Sequence, residues 1–109
     1  MNYLQTRFPK LDKKYRRNYD IEYSLFQELE AITSEYDATV SDLVNTAISY
    51  LIDTEDISIY KKPNNEITVT HTMLVYENNI KGLECLKEKY GIGTYKLVNI
   101  AIRNALKEI

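Results

Sequence analysis

The chain contains no tryptophan, one cysteine, two prolines, three glycines and one histidine in 109 residues. A single cysteine, Cys85, excludes an internal disulfide and a cysteine-built metal site; it reads as a small buried helix residue. Gly91 and Gly93 form the one close glycine pair, without the third glycine of a dinucleotide loop. There is no phosphate-binding P-loop and no His-Glu-x-x-His metal motif. His71 and Cys85 would be the one base–nucleophile combination, yet the patterning puts His71 on a strand and Cys85 inside a helix, with no third group to orient the base. No apolar run approaches the length of a membrane span, and the first residues do not read as a signal peptide. The expectation is a cytoplasmic protein that is not an enzyme and uses no cofactor or metal.

Basic charge is also missing locally. Residues 21–60 contain nine acids and no lysine or arginine. Ahead of them, residues 1–20 carry Arg7, Lys10, Lys13, Lys14, Arg16 and Arg17 against Asp12 and Asp20, and residues 61–109 carry eight bases and five acids. The net charge of −2 therefore hides one positive and one negative face. Hydrophobic residues make up 44% and charged residues 28%, ordinary globular values.

What the chain does have is a repeat. Leu43-Val44-Asn45-Thr46-Ala47-Ile48 returns as Leu97-Val98-Asn99-Ile100-Ala101-Ile102, 54 residues later. At the same offset Ile21 falls on Val75, Phe26 on Ile80, Leu29 on Leu83, Ile32 on Leu86 and Tyr36 on Tyr90. One unit of about 40 residues is too small to bury a core alone, so two units must share one.

Each unit reads as strand, helix, helix. Residues 14–21 alternate, with Tyr15, Arg17, Tyr19 and Ile21 on one side and Lys14, Arg16, Asn18 and Asp20 on the other. Ser24 and Gln27 fit a capping box for a helix whose stripe is Phe26, Leu29, Ile32 and Tyr36. Thr39 and Asp42 fit a second box, ahead of the stripe Leu43, Val44, Ala47, Ile48 and Leu51. In the second unit Ile67, Val69, His71, Met73 and Val75 alternate with Thr68, Thr70, Thr72 and Leu74. Asn78 or Asn79 caps the next helix, Gly91 ends it, and Gly93-Thr94 opens the last. Tyr15, Tyr19, Tyr36 and Tyr90 fall on inward positions.

Residues 1–12 read as a basic arm, 13–53 as the first repeat, 54–66 as a linker and 67–109 as the second repeat, with 13–109 one intertwined domain. A hairpin joining 57–60 to 66–72 across Pro63-Asn64-Asn65 is the rival for the linker. A lone strand in each unit has no partner within it, so the two strands are expected to pair antiparallel with each other over a shared helical core. The fold class is thus mainly α with a two-stranded antiparallel β-ribbon.

In the order of its elements, its alternating strands and the pattern Leu-Val-Asn-x-Ala-Ile, each unit resembles a ribbon-helix-helix protein of the CopG/Arc/MetJ type, over about residues 14–52 and 67–109. The resemblance implies a single-chain pseudo-dimer that places its ribbon in the major groove of double-stranded DNA. It makes Arg16, Asn18, Thr70, Thr72 and Thr68 the base-contacting residues, with Lys14 and Asp20 beside them. Arginine suits guanine, asparagine adenine, and threonine a thymine methyl or a hydrogen bond. It makes the start of each second helix a phosphate anchor: Thr39 with Ser41, and Gly93 with Thr94 and Tyr95. Asp37 and Asp42 depart from that pattern. Lys10, Lys13 and Lys14 would neutralise phosphates. The implied roles are transcriptional repression or plasmid copy control, partition or relaxosome assembly, with further copies of the chain on adjacent sites. The competing reading is a protein-interaction module, antitoxin-like or a scaffold, that docks a partner on the acidic face and has lost DNA binding. No membrane partner is expected.

Overall fold

A computed structural model describes residues 13–61 and 65–108. The arm (1–12) with Lys10, and residues 62–64 with Pro63 and Asn64 of the turn, lie outside these residues. The order is β1 (Lys14–Glu22), α1 (Tyr23–Tyr36), α2 (Val40–Thr54), β2 (Thr68–Tyr76), α3 (Glu77–Tyr90) and α4 (Thr94–Lys107). The described residues form a mixed α/β fold with four helices and one two-stranded sheet, in which β1 and β2 run antiparallel.

The register pairs Arg16 with Leu74, Asn18 with Thr72 and Asp20 with Thr70. Asn18 therefore faces the residue 54 positions ahead of it, which is also its counterpart in the sequence repeat. On the inner side, the C-terminal half of each strand is buried (Tyr19 and Ile21, Met73 and Val75), whereas Tyr15, Ile67 and Val69 are exposed. Arg17, the charged residue among the inward positions, lies on the exposed half of β1, so its charge is not buried. His71 is half-buried, its ring stacked on Phe26 at 3.6 Å between centroids.

Beneath the ribbon α2 packs on α4. Val44, Ala47, Ile48 and Leu51 from one, and Leu97, Val98, Ala101 and Ile102 from the other, are buried. Ala47 and Ala101 leave room for helix approach, and Leu29 and Leu83 close the core from α1 and α3. Gly82 lets α3 lie close against Ile52 of α2; a Cβ there would lie 2.3 Å from Ile52 Cδ1, so the isoleucine side chain would have to shift.

Two expectations are corrected, and one rival reading is excluded. Ser24 does not cap α1, and neither Asn78 nor Asn79 caps α3; the helices start at Tyr23 and Glu77 with no side-chain cap. Each strand runs into its helix without a loop, and the first helical amide remains in the ladder: Tyr23 donates to the Ile67 carbonyl (2.9 Å) and Glu77 to the Lys13 carbonyl (2.7 Å). The Ser24 amide donates to Glu66 Oε1 (2.8 Å), which leaves nothing for a capping box to satisfy. Second, of the four tyrosines placed inward only Tyr19 is buried; Tyr36 and Tyr90 stand at helix ends beyond the core. Cys85 is likewise exposed.

Third, residues 57–60 form no strand, because β2 takes β1 as its partner. The described part of the linker is instead pinned at Glu55, Asp56 and Tyr60. Glu55, in the left-handed conformation at the end of α2, accepts from Lys89 Nζ (2.7 Å) and the Tyr90 hydroxyl (2.8 Å). The Asp56 carbonyl accepts from Asn104 Nδ2 (2.8 Å), and the Tyr60 hydroxyl donates to Glu22 Oε2.

Candidate nucleic-acid interface

The outward ribbon face carries Arg16, Asn18, Asp20, Thr70, Thr72 and Leu74, all exposed, with Lys14 at one end and half-buried Thr68 at the other. Their side chains join across the strands. Thr72 Oγ1 donates to Asn18 Oδ1 (2.6 Å), and Thr70 Oγ1 donates to Asp20 Oδ1. Asn18 therefore keeps its amide donors outward while its oxygen is engaged. Arg16, opposite apolar Leu74, makes no side-chain hydrogen bond among the described residues. Lys14 lies over the Tyr76 ring at 5.0 Å from its centroid, and Lys13 is exposed just before β1.

The two helix starts differ. Thr39 caps α2 through a full box: its hydroxyl accepts from the Asp42 amide (3.1 Å), and its amide donates to Asp42 Oδ2 (3.3 Å). These bonds hold the Asp42 carboxyl below its ordinary range, first through the Thr39 amide and then through its hydroxyl. Ser41 Oγ donates to the Leu74 carbonyl (2.8 Å). Thr39 and Ser41 thus have their hydroxyls engaged, with a carboxylate beside them. At α4, Gly93 is the cap residue with no side-chain bond, and no acid stands in the first turn. Gly93 is exposed, and Thr94 and Tyr95 are half-buried. Free amides and the helix dipole favour an anion at such an end.

Two residues that carry the geometry were visible in the repeated motif but had been given no role. Asn45 Nδ2 donates to the Leu74 carbonyl and its Oδ1 accepts from the Tyr76 amide. Asn99 Nδ2 donates to the Asp20 carbonyl and its Oδ1 accepts from the Glu22 amide. Each asparagine ties its helix to the strand of the other repeat, and the two sets of bonds are related by the same sequence offset. Their signal was a polar residue kept in both copies inside an apolar stripe.

Among the described residues no helix is long and apolar enough to cross a membrane, and no group of three or more His, Cys, Asp or Glu is placed to hold a metal ion. No family model, curated protein or solved structure matches the chain.

Proposed function

We propose that the chain is a single-chain ribbon-helix-helix pseudo-dimer that binds double-stranded DNA sequence-specifically and without catalysis. It acts as a transcriptional repressor or as a plasmid copy-control, partition or relaxosome accessory factor. The observation that carries this is the exposed ribbon face with Arg16, Asn18, Thr70 and Thr72 on paired nine-residue strands. A ribbon of that kind fits the width of the major groove, and these side-chain types suit base edges there. The pseudo-dimer reading is supported by the register, which pairs Asn18 with its repeat counterpart, and by the reciprocal Asn45 and Asn99 bonds. Gly93, Thr94 and Tyr95 form the open phosphate anchor. Thr39 and Ser41 form the weaker one, since Asp42 repels a phosphate. Lys10, Lys13 and Lys14 track the backbone.

Selection from a random pool of duplexes at two salt concentrations tests this. Specific binding yields an enriched motif and an affinity that falls linearly in log–log form, with a slope of about −0.9 per phosphate neutralised. Arg16→Ala relaxes one position and costs about 1–3 kcal/mol, whereas Lys13→Ala weakens all sequences alike. Absence of binding at low salt refutes the proposal. That result would favour the protein-interaction reading, which draws on the acidic stretch of 21–60 and the Asp42-closed start of α2.

A further inference from the structure

A cavity of about 470 Å³ lies between the linker and the start of α4, lined among others by Ile59, Tyr60, Ile92, Tyr95 and Ile100. Its size falls in the range of small-molecule sites. The walls are apolar side chains and two tyrosine rings, and the last residue of β1, Glu22, contributes a carboxylate. Glu22 is only 5% exposed. Its Oε2 accepts from the Tyr60 hydroxyl; its Oε1 makes no hydrogen bond among the described residues and keeps contact with solvent. No lysine or arginine among them forms an ion pair with it: Lys96 lines the same cavity but is exposed, and the Arg103 guanidinium is 4.0 Å from the centroid of the Tyr60 ring. Asn99 beside it has both ends of its amide engaged by the backbone. A carboxylate with little access to water and no ion pair is unfavourable, and a cation in contact with it offsets that cost. Burial and the Glu22 bond together push the Tyr60 phenol well above its ordinary range, so Tyr60 remains a donor to Glu22.

We propose that this cavity binds a small organic monoammonium ion with an apolar body. The ammonium donates to Glu22 Oε1, and the body lies among Ile59, Ile92, Ile100 and the tyrosine rings, whose faces also attract a cation. The proposal does not rest on DNA binding, although Gly93 and Tyr95 line both this cavity and the proposed phosphate anchor, so the two ligands would compete there; its test uses no DNA. The protein is titrated with 2-phenylethylammonium and with 2-phenylethanol, its neutral analogue, by calorimetry and by amide NMR. The ammonium binds at least about tenfold tighter, as a charge-assisted hydrogen bond requires, and the shifted amides are those of Glu22, Tyr60, Gly93, Tyr95, Asn99 and Ile100. Glu22→Gln brings the two probes to comparable affinity. Equal affinities for the intact protein, shifts centred elsewhere, or a preference that survives Glu22→Gln would each overturn the proposal. The comparison of probes on the unaltered chain decides the matter even where the variant does not fold.

Discussion

Asn45 and Asn99 do at the residue scale what a hydrophobic contact cannot: they fix a strand's height and direction on a helix. Each is buried, at 6% and 2% exposure, and each satisfies a strand carbonyl and a strand amide of the other repeat. Removal of such a side chain strands both backbone groups in a place that water does not reach. Asn99→Ala is therefore expected to cost about 2–4 kcal/mol in urea denaturation, since each buried group left unpaired costs about 1–3 kcal/mol. Asn99→Asp keeps the acceptor for the Glu22 amide but sets a buried carboxylate against the Asp20 and Tyr95 carbonyls, and is expected to cost at least as much as alanine. A loss under about 0.5 kcal/mol for the alanine variant would show that the bonds do not hold the strand. The position of these asparagines was legible, because they recur in the repeated motif. Their partners were not, because the Glu22 amide lies 77 residues from Asn99 and no local pattern reports such a distance. The same holds for Glu22 and Tyr60, 38 residues apart: on sequence one is the polar end of a strand and the other part of a linker.

At the scale of elements, the alternation of 14–21 and 67–75 and the stripes at spacings of three and four were enough to place both strands and all four helices. Helix starts were legible only where a loop precedes them. Thr39 and Asp42 follow the turn at Asp37, and the capping box is formed there. Ser24 and Asn78 follow no loop, and the cap pattern fails because a distant strand already serves the first amide. The box has a pH consequence. The Asp42 carboxyl is held below its ordinary value of 3.8 by the Thr39 bonds, with Lys14 adding a favourable charge. A carboxyl whose folded value is depressed contributes its stability above the unfolded value, and that contribution is lost as pH falls through the folded one. Hydrogen exchange at the Thr39 and Asp42 amides should therefore accelerate relative to intrinsic rates as pH drops below about 3.8. The first turn of α4, which has no acid, supplies the internal control and should not respond in this range. An equal response at both helix starts would exclude the Asp42 carboxylate as the cause.

For the whole molecule, the repeat matters most where it is broken. A homodimer presents one strand twice and so favours a palindromic site. Here the core positions are kept in kind, while the outward faces differ: Arg16, Asn18 and Asp20 on β1 correspond to Thr70, Thr72 and Leu74 on β2. Asn18 and Thr72 meet at the centre of the register. On one side of them stands Arg16 with Leu74, a cation beside an apolar surface; on the other stands Asp20 with Thr70, an acceptor already engaged by a hydroxyl. The first pair suits a guanine next to a thymine methyl, and the second suits the amino group of a cytosine. The helix starts break the symmetry in the same molecule, one open at Gly93 and one closed by Asp42. The site selected from random duplexes should accordingly be asymmetric within one footprint, with a guanine on the Arg16 side. Arg16→Thr copies its counterpart Thr70 and Asp20→Leu copies its counterpart Leu74; the two together would make the arms alike and should shift selection toward a symmetric motif, whereas Arg16→Thr alone should erase the guanine and leave the other arm as it was. A palindrome within one footprint of the unaltered chain would contradict the assignment of the outward face, because these strands cannot present the same chemistry to both halves.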